Sequence, residues 1–156
     1  MVAEVHEMMV GRANEAGVQL TFLPAAEVPL LLFDPQGIQR ACLNVIGNAI
    51  DACEGNEAGL VSVVVSHDSR AKRLNVQVAD NGPGIPADEL QAVFTLFHSE
   101  KGSRGTGLGL PVSQKILREH GGDVLLESEA GNGCRFTLHW PAVLAGPEET
   151  VEIPIN

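Results

Sequence analysis

Apolar residues along the chain recur either at helical spacing or in strand-like runs, and the change between these patterns predicts the order of the elements. Helical spacing covers residues 2–16, 34–54, 87–97 and 111–120. Strand-like runs cover residues 18–23, 30–33, 60–66, 74–79, 124–128 and 134–140. Asp34 and Pro35 supply an N-cap and a first-turn proline for the longest helix, and Gly17 ends the first one.

Two pairs of the predicted strands are close enough in sequence to form hairpins. One pair is joined by the polar loop 67–73 and the other by Gly131-Asn132-Gly133. Helices interleaved with hairpins, rather than regular βαβ units, predict an α+β fold with helices on one face of a mixed sheet. We expect one domain over residues 1–141 and a loosely ordered acidic, proline-containing tail over residues 142–156.

Composition narrows the class of protein. The 156 residues are enough for one domain, and a hydrophobic fraction of 44% excludes global disorder. The formal net charge of -10 argues against a nucleic-acid partner and requires local groups to hold any anionic ligand. Three cysteines lack metal-ligand spacing and are expected to be reduced core residues: Cys42, Cys53 and Cys134. No apolar run approaches the ~18 residues that span a bilayer, and no signal peptide is recognised, so we expect a cytoplasmic domain without direct membrane contact.

A stripe of polar residues runs along the long, otherwise apolar helix. Asn44, Asn48 and Asp51 follow one another at spacings of four and three, which places them on one side of the helix. Because the helix is apolar nearly all round, we expect this stripe to be buried, and buried amides need partners. They could bond neighbouring backbone, or they could face a polar ligand that carries a hard cation such as Mg2+.

The run Asp80 to Ile85, DNGPGI, follows an apolar strand. Asp80 continues the inward-facing row of this strand, so its carboxylate is aimed at the interior. It could cap the strand, or it could accept a hydrogen bond from an exocyclic amine such as adenine N6. Gly82 and Gly84, at alternate positions, allow the backbone to pass close to a flat ligand.

A glycine-dense segment precedes the helix that begins near Pro111. Its sequence at 105–110 is GTGLGL, and backbone N–H groups before a helix N-terminus form an anion site. The spacing is neither a Rossmann fingerprint nor a P-loop, and a flexible linker is the alternative. Lys101 and Arg104 stand just upstream and could face phosphates or solvent.

Together these segments resemble, in order, the boxes of the GHKL superfamily of ATP-binding domains. Residues 44–52 resemble the N box of histidine kinases of the nitrogen-regulation type, and residues 80–85 match the G1 box. Residues 94–97 with Lys101 resemble the F box, residues 105–110 the G2 box, and residues 131–141 the final hairpin. The resemblance spans residues 2–141 and is strongest to the catalytic domain of a sensor histidine kinase.

The resemblance implies a Bergerat fold, a two-layer α/β sandwich with a mobile lid over residues 85–106 that closes on ATP. Asn48 would be the Mg2+ ligand, Asn44 would arrange metal and phosphates, and Asp80 would bind adenine. Lys101 would contact phosphate as a catalytic residue beside Asn44. The remaining cofactor-binding residues would be Asp51, Gly82, Gly84, Ile85, Gly105, Thr106, Gly107, Leu108, Gly109 and Leu110.

Three positions bear on the function within the superfamily. Hydrolytic members carry Glu where this chain has Asn44; since Asn cannot take a proton from water, the resemblance implies transfer to a protein acceptor rather than hydrolysis. Glu100 stands where relatives usually have Thr, and it adds a negative charge beside Lys101. Asp51-Ala52 differs from the basic or aromatic pair that some relatives have there and is more similar to the nitrogen-regulation type.

The acceptor histidine is expected outside this chain. His6 is followed by neither a proline nor a helix-pair partner, so it does not fit an acceptor motif. The implied partners are a dimerisation and phosphoacceptor domain of the same parent protein and a downstream response regulator, and the parent could be membrane-anchored. The alternatives are a serine kinase of the anti-sigma-factor type and an ATP-gated interaction module without transfer.

Overall fold

The computed structural model describes residues 1–95 and 109–144; residues 96–108 and 145–156 lie outside the described part. Its helices are α1 (Val2–Glu15), α2 (Pro35–Cys53) and α3 (Gly109–Glu119). Its strands are β1 (Gln19–Leu23), β2 (Leu60–Asp68), β3 (Arg73–Asp80), β4 (Asp123–Ser128) and β5 (Cys134–Pro141). These bounds match most of the elements that the apolar pattern predicts.

The five strands form one mixed sheet in the order β1-β2-β3-β5-β4. β1 and β2 are parallel and are connected through α2, whereas the other pairs are antiparallel. The register places Asp80, the last residue of β3, opposite Cys134, the first residue of β5. The predicted α+β class with a mixed sheet is therefore confirmed.

Helix α2 forms the centre of the helical layer and packs against α1, α3 and the middle strands. Asp34 caps it, since its carboxylate accepts from the backbone N–H of Gln36 at 3.0 Å. The core lies between α2 and the sheet and includes Ile38, Val45, Ile46, Ile50, Val61, Val76, Val78 and Leu138, all fully buried. Burial also raises the pKa of the Cys42 thiol to about 12, so this cysteine stays protonated.

Three element predictions were wrong. The predicted helix 87–97 is, as far as residue 95, a series of turns with one short 3-10 helix, Ala92–Phe94. The predicted strand 30–33 is reduced to a single bridge between Leu31 and Leu144. Helix α3 begins at Gly109 and not at Pro111, and the proline lies in its first turn, where its missing N–H costs no helical bond.

The first residues after Pro141 are attached to the domain. The Ala142 N–H donates to the Lys72 carbonyl at 2.8 Å, and the Leu32 N–H donates to the Val143 carbonyl at 2.9 Å. The loosely ordered tail stays a prediction for residues 145–156, which lie outside the described part. None of the helices in residues 1–95 and 109–144 combines the length and the hydrophobicity of a membrane-spanning segment.

Candidate functional site

Helix α2 links the two groups of described polar residues that the sequence analysis singled out. Its middle contacts the start of α3 through Asn44, and its last turn supports the loop that follows β3. The end of β3 in turn pairs with the start of β5. Among the described residues, just two polar or charged side chains are buried, Asp80 with 8% of its surface exposed and Ser113 with none. Both lie on these elements, and buried polar groups need a specific reason because their desolvation is costly.

Asp80 is held by two backbone donors. Its Oδ1 accepts from the N–H of Gly82 at 2.9 Å and from the N–H of Cys134 at 3.3 Å. The carboxylate therefore caps the strand, as one of its two predicted roles requires. Since a carboxylate has about four acceptor positions, this anchoring is compatible with a further donor such as an exocyclic amine.

The loop after Asp80 packs tightly against the turn of the β4–β5 hairpin. Gly84 has φ +72°, and a Cβ at this position would overlap the carbonyl oxygen of Glu129. The N–H of Gly131 donates to the Pro83 carbonyl at 2.6 Å. Only glycine fits position 84, because both the positive φ and the close approach exclude a side chain.

Ile85 and Gly82 complete this loop. The Ile85 N–H donates to Ser128 Oγ at 2.8 Å, and its side chain packs against the core. A Cβ at Gly82 would lie 2.8 Å from the carbonyl oxygen of Ala52, so this glycine lets the loop rest on the last turn of α2. The structure thus fixes the backbone of the predicted site residues Gly82, Gly84 and Ile85.

Asn81 and Ser128 are structural residues of the site, and the sequence analysis assigns neither of them an individual role. Oδ1 of Asn81 accepts from the Leu60 N–H at 2.7 Å, and its Nδ2 donates to the Ala58 carbonyl at 2.8 Å. Ser128 Oγ donates to the Gly133 carbonyl at 2.7 Å while it accepts from Ile85. Asn81 was detectable as a polar residue directly after a strand, whereas Ser128 depends on a contact 43 residues away.

Asn44 connects α2 with the beginning of α3. Its Nδ2 donates to the Gly109 carbonyl at 3.3 Å and to Ser113 Oγ at 3.2 Å. Ser113 Oγ in turn donates to the same carbonyl at 2.7 Å. Because the amide nitrogen is engaged with α3, the amide oxygen of Asn44 is the atom left to face a ligand or a cation. Ser113 was not singled out by the sequence, since a serine one turn into a helix is not distinctive.

Asn48 is exposed, so the expectation of a buried amide stripe was wrong at this position. A Cβ at Gly109 would lie 3.9 Å from Nδ2 of Asn48 and 3.8 Å from Cβ of Asn44. The two amides therefore line the approach to the N-terminus of α3. Helix N-termini favour anions, and amide oxygens suit Mg2+. The N-terminus of α3 and the amide side chains of Asn44 and Asn48 therefore lie next to each other.

Asp51 is paired with a residue that the sequence did not single out. Both of its carboxylate oxygens accept from Nη2 of Arg12, at 2.7 and 2.9 Å. Arg12 lies on α1, 39 residues away, so its partner could not be inferred from local spacing. A direct role of Asp51 in cofactor binding stays a prediction.

Part of the predicted site lies outside the described residues, namely Lys101, Gly105, Thr106, Gly107 and Leu108. Their roles stay predictions. Gly109 and Leu110, placed by the sequence in the same loop, are the first two residues of α3. The half-buried side chain of Leu110 packs against the core, and its role in cofactor binding stays a prediction.

Comparison with protein families gives one match that covers most of the chain. Residues 33–144 match the family described as Histidine kinase-, DNA gyrase B-, and HSP90-like ATPase. This range runs from two residues before α2 to the last described residue and includes Asn44, Asn48 and Asp80.

Curated relatives include sensor histidine kinases. The chain is 37% identical over 129 residues to Sensor histidine kinase ZraS of Escherichia coli (strain K12), which covers 83% of the chain and 27% of that protein. It is 32% identical over 151 residues to Aerobic respiration control sensor protein ArcB of the same strain, which covers 91% of the chain and 19% of that protein. The chain therefore spans about a quarter or less of the length of these relatives.

Solved structures with the same fold include two histidine kinases. Full-length ShkA in complex with AMPPNP superposes with a TM-score of 0.80 at 30% identity, over 92% of the chain and 30% of that structure. The nucleotide-free catalytic domain of histidine kinase ThkA superposes with a TM-score of 0.78 at 26% identity, over 91% of the chain and 90% of that domain. The helices and mixed sheet are thus those of a kinase catalytic domain.

Proposed function

This chain belongs to the Histidine kinase-, DNA gyrase B-, and HSP90-like ATPase family, and we propose that it binds Mg-ATP and donates the γ-phosphate to a histidine on a separate dimerisation and phosphoacceptor domain. One observation carries the proposal: Asn44 and Asn48 of α2 lie at the N-terminus of α3, and the loop anchored on Asp80 rests on the last turn of the same helix α2. The sensor kinases among its relatives and the AMPPNP complex of ShkA support the same reading.

Adenine is assigned to the Asp80 end of the site. Asp80 is buried and fixed by two N–H donors, so its carboxylate presents a rigid acceptor to an exocyclic amine. Gly82 carries no side chain, and the loop it belongs to is held against α2 and the hairpin. A rigid acceptor beside bare backbone suits a flat base better than it suits a flexible ligand.

The phosphates and Mg2+ are assigned to the α2–α3 end. Asn48 is exposed, and the amide oxygen of Asn44 remains when its nitrogen bonds Gly109 and Ser113, so both side chains fit the oxygen ligands that Mg2+ prefers. Mg2+ commonly takes one or two protein ligands and completes its shell with substrate phosphates and water. When bound, it would neutralise charge on the β- and γ-phosphates.

Transfer rather than hydrolysis follows from the chemistry of Asn44. An amide cannot accept a proton from attacking water, whereas a neutral imidazole nitrogen brings its own lone pair. In the transfer step a bond forms between this nitrogen and the γ-phosphorus. The bond from phosphorus to the bridging oxygen breaks, and ADP leaves. The domain's contribution is positioning and electrostatics, which dominate phosphoryl transfer.

The greater length of the relatives supports partners that lie outside this chain. We propose that a phosphoacceptor domain of the same parent protein supplies the histidine and that a response regulator receives the phosphoryl group in two-component signalling. We place the reaction in the cytoplasm, where ATP is available. A serine kinase of the anti-sigma-factor type and an ATP-gated module remain the alternatives to be tested.

The deciding experiment combines this chain with labelled ATP and the separately supplied dimerisation hairpin of the same parent protein. We expect acid-labile, base-stable label on the hairpin and no label on the chain alone. Acid-stable label on a partner would favour the serine kinase, and nucleotide binding without transfer would favour the module. His6→Ala and His98→Ala are the controls; acid-labile self-labelling that survives both would mean that the acceptor lies elsewhere in this chain.

Nucleotide binding itself is tested by thermal unfolding. Mg-ADP or Mg-ATP at ~100 times its dissociation constant should raise the free energy of unfolding by about 2.7 kcal/mol, because only the folded state binds it. An unfolding curve that millimolar nucleotide does not change would contradict the proposal.

A further inference from the structure

The ion pair between Arg12 and Asp51 brings a cation from α1 onto the surface of α2. Arg12 has half of its side-chain surface exposed and Asp51 a quarter, so the pair borders solvent. Exposed ion pairs contribute little to stability, typically ~0–1 kcal/mol. So small a gain in stability does not explain why Arg12 lies at this position.

Arg12 lies directly over the polar stripe of α2. A Cβ at Gly47 would be 2.8 Å from Nη1 of Arg12, so the absence of a side chain at position 47 makes room for the guanidinium. Asn48 is the next residue, and Asp51 follows Asn48 by three positions, which makes their side chains neighbours on the helix surface. The cation thus contacts the residue before the proposed Mg2+ ligand and is bonded to Asp51, three residues after that ligand.

Much of the hydrogen-bonding capacity of Arg12 is left over. Both bonds to Asp51 use Nη2. Within the residues that the structure describes, Nη1 and Nε of Arg12 have no hydrogen-bond partner. A guanidinium presents five N–H donors in a planar fork that matches phosphate oxygens.

The charges around the proposed phosphate site also favour a cation at the position of Arg12. Asp51 places a carboxylate one helical turn from the proposed phosphates, in a chain with a net charge of -10. Without a cation, this carboxylate would repel a triphosphate. Arg12 neutralises it and adds donors at the same place.

We propose that Arg12 is a nucleotide-binding residue that contacts the phosphates, and that Asp51 is the residue that positions it. The inference rests on the proposed function, since it needs ATP to occupy this site. It also changes the expected role of Asp51 from a ligand of the cofactor to a partner of the residue that binds it.

The test compares ATP with adenosine in the Arg12→Gln variant, with calorimetry for ATP and competition for adenosine. We expect ATP affinity to fall by about tenfold or more, because a charge-assisted bond to phosphate is lost. Adenosine affinity should stay within about twofold, since the base contacts are untouched. The salt dependence of ATP binding should also decrease, because one fewer cation meets the phosphates.

Two further variants separate binding from packing. Gly47→Ala keeps the charge of Arg12 but puts a methyl group 2.8 Å from its Nη1, so the guanidinium must shift. We expect this shift to weaken the binding of ATP and to leave the binding of adenosine unchanged. Arg118→Gln is the matched control, since Arg118 forms a similarly exposed pair with Asp123 at 3.2 Å on α3 and β4, and it should leave ATP affinity unchanged.

The outcomes distinguish this inference from the proposed function. A wild-type chain that binds no ATP would remove the proposed function and this inference with it. The wild-type chain could bind ATP while Arg12→Gln leaves ATP affinity unchanged, or lowers the affinities for ATP and adenosine by the same factor. Either result would show that Arg12 only connects α1 to α2 and does not contact the phosphates. In that case the proposed function would stand.

Discussion

Gly133 lies so close to Asp80 that a Cβ at position 133 would overlap the Asp80 carbonyl oxygen. This approach seats the β4–β5 hairpin on the end of β3 and brings the N–H of Cys134 to the Asp80 carboxylate. Gly131, in the same turn, has a similar positive φ, +87° against +75°, yet nothing lies within 4 Å of a Cβ there. The two glycines share a backbone requirement and differ in the space around them.

Gly133→Ala should therefore cost more than Gly131→Ala. Both variants impose a left-handed conformation on alanine, which costs about 1–3 kcal/mol. Only Gly133→Ala also forces the hairpin away from Asp80, so it should be the less stable of the two and should lose nucleotide affinity. Urea unfolding and calorimetry on both variants measure the difference. Equal losses of stability and affinity would show that the close approach has no consequence for the site.

Asp80→Asn should remove the preference for adenine. The amide oxygen can still accept from Gly82 and Cys134, which leaves an NH2 group to face the base. An NH2 group cannot accept from the exocyclic amine, so ATP affinity should fall roughly 10- to 100-fold, as expected for a lost bond to a charged group. Calorimetry with ATP and GTP checks this. A variant with wild-type affinity and preference would leave Asp80 with the capping role alone.

Asn48→Ala should weaken the Mg2+ dependence of nucleotide binding and abolish transfer while the base contacts survive. The reason is that its exposed amide is the proposed protein ligand of the cation. Nucleotide titrations at increasing Mg2+ concentration measure this dependence. Asn14→Ala, at an exposed asparagine on α1, is the control and should behave as wild type. Unaltered Mg2+ dependence in a folded Asn48→Ala variant would exclude the amide as a ligand.

His139 should make stability depend on pH. Burial lowers the pKa of His139, Arg73 lowers it further, and Asp123 opposes the shift. The unfolded chain therefore binds a proton more readily than the folded one, so the free energy of unfolding should fall as pH decreases through the range below ~6.5. His139→Gln should flatten the dependence, and Arg73→Gln should reduce it. Thermal unfolding from pH 5 to 7 checks both; a slope that His139→Gln leaves unchanged would contradict the assignment.

Elements with a strong local pattern could be predicted from the sequence. The sequence predicts α2 at 34–54, and the helix occupies Pro35–Cys53, because Asp34 caps it and its apolar positions repeat over five turns. The hairpin at Gly131-Asn132-Gly133 was equally clear, since its glycines take positive φ. Asp80 could be aimed inward by the alternation along β3.

Elements whose stability depends on distant partners could not be predicted from the sequence. Residues 30–33 looked like a strand, but the partner of Leu31 is Leu144, which lies beyond the predicted end of the domain. For residues 87–97 local spacing suggested a helix, yet in the described part of this range only Val93 is buried, and short helices need packing to form. Arg12 and Ser113 entered the site through contacts across 39 and 69 residues, which local spacing does not encode.

The pairing of β3 with β5, which follows it much later in the chain, also determines when the site can form during synthesis. Asp80 is made 54 residues before Cys134, whose N–H fixes its carboxylate, and before Gly133, on which the end of β3 rests. A nascent chain in which α2 and β3 have emerged from the ribosome but β5 has not contains Asn44, Asn48 and Asp80. It lacks the strand whose N–H group fixes the Asp80 carboxylate. ATP capture on the ribosome should therefore begin only after the final hairpin has emerged.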